Sequence, residues 1–278
     1  MRQSLSDAAL VVLGHGTTQN DASALPVLQH AGELRRRGIF AEVRAAFWKQ
    51  EPQVKQVLAE IKAPRVFIVP LFISEGYFSH EVIPRALGLD ANFSLQTPDF
   101  RLSYCRPVGT HDCMTEVILA RAREVVAKHP FPRAPKPSDL TLFIAGHGTG
   151  RNDNSRKAIE RQVELIRAQR LYAAVHAVFM EETPGIPECY ALTLTRNLVV
   201  VPFFISDGLH TVEDIPVLLG EPESVVKQRI AAGHSTWRNP TERKGKLAWY
   251  SSAVGSESGI AEVILERVRE RVRGEDRG

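Results

Sequence analysis

Leu142-Phe-Ile-Ala-Gly-His-Gly-Thr149 repeats Leu10-Val-Val-Leu-Gly-His-Gly-Thr17 at a spacing of 132 positions. In each copy a short apolar run, read as a buried strand, ends in Gly-His-Gly. The two glycines let the backbone turn sharply and expose an imidazole beyond the strand's end. The same spacing carries Asn20-Asp21 onto Asn152-Asp153, Phe47 onto Phe179 and Pro52 onto Pro184. It also carries Val69-Pro-Leu-Phe-Ile-Ser-Glu-Gly76 onto Val201-Pro-Phe-Phe-Ile-Ser-Asp-Gly208, and Ile83-Pro84 onto Ile215-Pro216. One register held over this length marks an internal duplication. Further on, Thr115-Glu-Val-Ile-Leu-Ala-Arg121 matches Ala261-Glu-Val-Ile-Leu-Glu-Arg267 at a spacing of 146, so the second half carries 14 extra residues within 220–245. That stretch, with Lys227, Arg229, His234, Trp237, Arg238, Arg243, Lys244 and Lys246, reads as a basic surface loop.

Around this duplication the strands and helices alternate. Residues 9–14, 39–47, 66–72 and 101–105 predict strands. Residues up to Arg37, then 52–62, 80–87 and 112–128, predict helices, the first capped by Asp21 or Ser23 and stopped by Gly38. Near-continuous apolar strands between helices imply a parallel sheet covered on both faces. The expected fold class is α/β: two tandem homologous domains, each a roughly four-stranded parallel sheet flanked by helices, facing each other across a cleft. Pro130-Phe-Pro-Arg-Ala-Pro-Lys-Pro137 has the composition of a stiff linker. The expected domains are therefore residues 1–130 and 138–278, with 131–137 between them.

Composition narrows the function classes. With 44% hydrophobic and 24% charged residues among 278, the chain is an ordinary globular protein, neither disordered nor fibrous. Thirty-five Lys+Arg against 32 Asp+Glu leave a net charge of +3, which argues against a dedicated nucleic-acid binder. Cys105, Cys113 and Cys189 are odd in number and form no Cys-x-x-Cys pair, so neither a disulfide framework nor a cysteine zinc site is expected. The apolar run 8–13 is too short for a signal-peptide core, and no run reaches 18 apolar residues. A cytoplasmic protein that does not engage a membrane is the expectation.

In an open parallel sheet, ligands bind beyond the carboxyl ends of the strands. Three segments of the second half meet there: the Gly-His-Gly turn, Phe179-Met-Glu-Glu-Thr-Pro184, and Ser206-Asp-Gly-Leu-His210. They bring His147, Glu181 or Glu182, and His210 together. Two imidazoles and a carboxylate bind a divalent first-row metal with positions left open, and the same groups accept protons near neutral pH. The first half departs from this set. Phe78 stands opposite His210, Lys49 opposite Glu181 and Gln50 opposite Glu182, while its histidines are His15 and, two places beyond Phe78, His80. One complete site in the C-terminal half, with His15 and His80 as further candidate ligands in a divergent partner domain, is the expectation.

These segments resemble the class II chelatases, specifically the CbiX-like sirohydrochlorin cobaltochelatase and ferrochelatase family, in its two-domain form. The matching pieces are the strand with Gly-His-Gly-Thr149, Phe179-Met-Glu-Glu with its following proline, Val201-Pro-Phe-Phe-Ile205, and Gly208-Leu-His-Thr-Val-Glu-Asp-Ile-Pro216. The resemblance implies ATP-independent insertion of Co²⁺ or Fe²⁺, with Ni²⁺ as a further option, into the tetrapyrrole sirohydrochlorin, in cobalamin or sirohaem biosynthesis. It implies that His147 holds the metal or accepts pyrrole protons, that Glu181 assists, that His210 completes the pair, and that Asp214 is a supporting residue. The metal is then a substrate. No nucleotide-binding motif occurs. The fused halves suit a monomer that stands in for a homodimer. Arg44, Lys49, Arg85, Arg151 and Arg156 are candidate partners for substrate carboxylates. Val82, where the second half has Asp214, adds to the divergence of the first half.

Two rival readings are weaker. Histidine phosphatases carry an Arg directly before the corresponding His-Gly, where both copies here have Gly, and losing that fork removes the anchor for a phosphate dianion. A protein that binds metal or tetrapyrrole without turnover would account for the degenerate first half but not for the intact second.

Overall fold

The computed structural model describes residues 4–17, 23–148 and 153–275. Asn20, Asp21, Thr149, Arg151 and Asn152 lie outside them. The chain forms two compact units, residues 1–111 with 258–278, and residues 112–257. The repeat and the units are therefore interleaved. The proline-rich segment 131–137 falls inside the second unit, and the chain crosses between units at 111/112 and 257/258.

The first unit contains β1 (Ala8–Gly14), α1 (Leu25–Arg36), β2 (Glu42–Phe47), α2 (Val54–Glu60) and β3 (Arg65–Pro70). A π-helical turn, Phe78–Val82, runs into α3 (Ile83–Ala86), followed by β4 (Ser94–Gln96) and β5 (Arg101–Tyr104). The second unit opens with α4 (Met114–Lys128). It then holds β6 (Leu140–Gly146), α5 (Asn154–Gln169), β7 (Ala174–Phe179), α6 (Cys189–Leu192) and β8 (Asn197–Pro202). A second π-helical turn, His210–Asp214, leads into α7 (Ile215–Leu218), then α8 (Glu223–Ala231), β9 (Thr241–Arg243) and β10 (Lys246–Tyr250). The last helix, α9 (Ile260–Glu275), belongs to the first unit.

Each unit has one five-stranded sheet, in the orders β2-β1-β3-β5-β4 and β7-β6-β8-β10-β9. Four strands are parallel, as the apolar runs predict. The fifth, β4 or β9, is an antiparallel edge strand that the sequence reading missed. It is three residues long and mostly polar, too short to show a period-2 pattern. The central strands β1 and β6 are buried at every residue, because helices cover both faces.

Matched arginines tie the exchanged helices to their units. On α9, Arg267 is buried and donates to the Pro107 carbonyl (2.8 and 3.0 Å) and to Thr110 Oγ1 (2.6 Å). Its counterpart on α4, Arg121, donates to the Ala253 carbonyl (3.1 Å) and Ser256 Oγ (2.7 Å). Burial draws the Arg267 pKa down, and Glu270 opposes that shift. A guanidinium keeps its charge there, since its intrinsic pKa is so high.

The insertion in the second half corrects another expectation. Residues 220–245 are not a loop throughout: they hold α8 and β9, with Val226 and Trp237 in the core. Its basic residues are partly engaged. Arg229 and Arg243 reach the buried Glu221 (3.6 and 3.1 Å), and Lys227 reaches Glu223 (2.5 Å). Cys105 and Cys189 are buried and Cys113 is exposed. Among the described residues no helix is long and apolar enough to cross a membrane.

Candidate active site

The second unit brings the three predicted loops together at the carboxyl ends of β6, β7 and β8. His147 follows the last residue of β6. Gly148, at φ +70°, turns the chain, and a Cβ there would lie 3.1 Å from both Phe179 Cβ and Glu182 Cγ. A side chain at this position would have to adopt a left-handed backbone in crowded space. The β7 loop is pinned to the turn through its backbone. The Met180 amide donates to the Gly146 carbonyl (3.0 Å) and the Glu181 amide to the His147 carbonyl (3.0 Å). Register therefore places the Glu181 side chain beside the imidazole, with Oε2 3.8 Å from His147 Nδ1.

The third loop delivers His210 on the π-helical turn. The Ile215 amide donates to the His210 carbonyl five residues back, and the Tyr250 hydroxyl anchors the turn by donating to the Thr211 carbonyl (2.7 Å). π-helical turns often occur at functional sites, where they re-aim a side chain. The His147 and His210 rings meet edge to face, centroids 4.9 Å apart.

Both imidazoles are held at Nδ1. That of His147 lies 2.6 Å from the Gly148 carbonyl, and that of His210 lies 2.7 Å from Asp214 Oδ2. A carbonyl can only accept, so His147 Nδ1 carries the proton and Nε2 the lone pair. A carboxylate at His210 Nδ1 selects the same tautomer. A ligating histidine is oriented in just this way, its other nitrogen bonded to a carbonyl or carboxylate. The two residues thus present basic nitrogens, both partly exposed.

Glu181 and Glu182 separate cleanly. Glu182 is mostly buried and bound by Arg156, whose Nε and Nη2 lie 2.7 and 2.5 Å from Oε2. Arg156 also stacks on the Phe179 ring at 4.2 Å and donates to the Thr183 carbonyl at 2.8 Å. That pair braces the loop. Glu181 is exposed and faces His147. Among the described residues, no group of three or more His, Cys, Asp or Glu side chains is set to hold a metal ion. Among the described residues the site is a two-imidazole pair with one adjacent carboxylate. A partial ligand set suits a metal that must be handed on, whereas a closed tetrahedral set suits one that stays.

The first unit keeps the frame and changes the chemistry. The Lys49 amide donates to the His15 carbonyl (2.8 Å) as Glu181 does to His147, and His15 Nδ1 lies 2.9 Å from the Gly16 carbonyl. His15 then meets Phe78 edge to face at 5.0 Å, where His147 meets His210. His80 is placed elsewhere. It packs on Phe93 at 5.1 Å and lines a cavity of about 400 Å³ with Glu75, Tyr104 and Arg106, to which His15 does not contribute. Of the candidate carboxylate-binding cations, Arg156 is engaged as above and Arg44 lies 3.5 Å from both Glu42 and Glu60. Arg151 lies outside the described residues. Lys49 and Arg85 keep exposed or half-exposed positions.

Paired α/β units with this strand order and histidine-bearing strand ends form a chelatase-type fold, and the comparisons agree. The family model described as CbiX matches residues 9–125 and again 141–271. A probable sirohydrochlorin cobaltochelatase of Halobacterium salinarum is 41% identical over 275 residues, covering 93% of this chain and 90% of that protein. A sirohydrochlorin cobaltochelatase of Methanopyrus kandleri is 29% identical over 139 residues, 47% of this chain and 96% of its own, so that a single half corresponds to a whole relative. Among solved structures, a multi-domain protein of Deinococcus radiodurans, described as similar to chelatases, superimposes with a TM-score of 0.76 at 28% identity over 94% of this chain. The match takes in 54% of that protein, so this chain spans about half its length. SirB of Bacillus subtilis, solved with Fe³⁺, shares the fold at a TM-score of 0.69 and 15% identity over 97% of both chains. The chain belongs to the CbiX family, with the family's unit present twice.

Proposed function

We propose that this chain is a sirohydrochlorin chelatase that inserts Co²⁺ or Fe²⁺ into the macrocycle without ATP, serving cobalamin or sirohaem synthesis, and that the second unit carries the reaction. The observation that carries the reading is the His147–His210 pair, with both Nδ1 atoms occupied and both Nε2 atoms basic. Insertion exchanges the two pyrrole N–H protons for one divalent ion. The site must therefore present a metal in a form that releases it, and it must accept protons. Two imidazole nitrogens hold a borderline ion such as Co²⁺ or Fe²⁺ while leaving several positions to water and to the incoming ring nitrogens. As the ion passes to the ring, an imidazole Nε2 becomes available to take a pyrrole proton, a step that general bases of this kind accelerate by about 10²–10⁴-fold. Glu181 lies next to His147, where its charge favours a bound cation.

The test is anaerobic. Sirohydrochlorin is mixed with the protein and Co²⁺, and separately Fe²⁺, and macrocycle absorbance is followed against an enzyme-free control. The expected result is acceleration that disappears in His147→Ala, with the faster metal indicating which product the protein serves. A shift that saturates at one equivalent without turnover would make it a tetrapyrrole-binding protein instead.

A further inference from the structure

The first unit holds its Gly-His-Gly site in the same backbone frame as the second and keeps His15, yet the other three groups that would favour a cation have been replaced. His210 becomes Phe78, Asp214 becomes Val82, and Glu181 becomes Lys49. The replacement side chains occupy the same places. Phe78 meets His15 edge to face at 5.0 Å against 4.9 Å for the histidine pair, and the Lys49 ammonium lies 5.1 Å from the Phe78 ring centre. Random decay of a metal site would leave a mixture of remnants. Here a carboxylate became an ammonium and a ligand became an aromatic ring, while His15 and its bond to the Gly16 carbonyl were kept. An ammonium in this position repels a divalent ion.

A second difference points the same way. The exposed apolar side chains of the first unit include Leu25 and Leu28 in the first turn of α1. The start of α1 lies at the same end of the sheet as the Gly-His-Gly turn. At the spacing of the repeat, the second half has Lys157 and Glu160 opposite the two leucines. Exposed apolar surface that lacks counterparts in its own duplicate marks a binding surface. Among the described residues, Lys49 meets no carboxylate. Apolar and aromatic groups around one unpaired cation match a flat apolar ring that carries acidic groups on its edge.

We infer that the His15–Lys49–Phe78 cluster is a metal-free subsite for a carboxylate-bearing tetrapyrrole. Lys49 pairs with a peripheral carboxylate, Phe78 lies against the ring, and His15 Nε2 accepts a hydrogen bond from a pyrrole N–H or a protonated acid. This rests on the proposed function for the identity of the macrocycle and adds to it a division of labour between the duplicated sites.

The test separates macrocycle from metal. Metal-free sirohydrochlorin is titrated anaerobically into the full chain and into Lys49→Ala, Lys49→Arg and Phe78→Leu, with binding read from the absorbance shift. Co²⁺ alone is titrated into the same proteins. Loss of one charge-assisted contact is expected to weaken macrocycle binding by about tenfold in Lys49→Ala. Lys49→Arg should recover most of it, and the Co²⁺ isotherm should be the same in all. In the reverse design, Lys49→Glu with Phe78→His and Val82→Asp should add one Co²⁺ equivalent. Unaltered macrocycle affinity in both Lys49→Ala and Phe78→Leu overturns the subsite and leaves the proposed function standing. Weaker Co²⁺ binding in Lys49→Ala overturns its metal-free character. If the unaltered chain neither binds nor metallates sirohydrochlorin, both readings fall together.

Discussion

His210 Nδ1 sits 2.7 Å from Asp214 Oδ2, a contact between residues four apart on a π-helical turn. The carboxylate fixes the ring and selects the Nδ1–H tautomer, which leaves the Nε2 lone pair free to bind. Removing such a partner typically costs about 10–100-fold in metal affinity or activity. Asp214→Asn keeps the shape but removes the charge, and Asp214→Leu also removes the acceptor. Metal insertion should fall in that order, with the melting temperature nearly unchanged because both groups are partly exposed. Wild-type rates in Asp214→Leu would show that His210 needs no partner.

The adjacent acids give a second contrast. Glu181 faces His147, while Glu182 is bound by Arg156. Glu181→Gln should slow metal insertion and leave stability alone. Glu182→Gln removes one of the two carboxylates that Arg156 meets, the other being Glu160 at 3.2 Å. It should cost about 1 kcal/mol, since the pair is only partly screened, seen as a melting temperature lower by about 2–4 °C. Thermal melts and rates measured on both variants check this. The reverse pattern would exchange the roles assigned to the two residues.

Histidine replacements rank the two units. His147→Ala and His210→Ala should each lower the rate by about a hundredfold or more, the scale of a lost general base. The double variant should be little worse than either single one, because the two act as a unit. His15→Ala should act mainly on the KM for the tetrapyrrole. Steady-state kinetics in both substrates separate these effects, and a larger loss of kcat in His15→Ala than in His147→Ala would move the reaction to the first unit.

Much of this arrangement was legible in the sequence, for a physical reason. Duplication prints the same backbone demands twice, so Gly14-His15-Gly16 and Gly146-His147-Gly148 announce a strand end and a turn even without a partner sequence. His147, Glu181 and His210 could be grouped because a parallel sheet collects its strand ends at one side. Two features were out of reach. The exchange of α4 and α9 between units depends on long-range packing, and their apolar faces fit either copy of the same sheet. Glu181 and Glu182 looked alike because nothing in Phe179-Met-Glu-Glu-Thr-Pro184 says that Arg156, nine residues after His147 in the sequence, reaches across to claim the second of them. The His80 position was misleading for a related reason. On a π-helical turn, two residues of offset rotate a side chain well away from the position of Phe78, and His80 packs on Phe93 instead.

The tightest constraint on the site is a backbone one. Gly148 holds φ +70°, and its carbonyl is the acceptor that sets the His147 tautomer. Gly148→Ala places a methyl 3.1 Å from Phe179 Cβ and Glu182 Cγ in a left-handed conformation. The conformation alone costs about 1–2 kcal/mol. Phe179 is fully buried and cannot give way, so relaxation must move the turn itself. Stability should therefore fall and metal insertion should fall further than stability explains, because the carbonyl shifts relative to Nδ1. Gly16→Ala meets a harsher clash, 2.7 Å from Gln50 Cβ at the same φ, and should destabilise at least as much. Denaturant unfolding of both variants, compared with chelation rates at a temperature where both are folded, decides the matter. If Gly148→Ala is as fast as the unaltered chain while folded, the Gly148 carbonyl does not set the working state of His147.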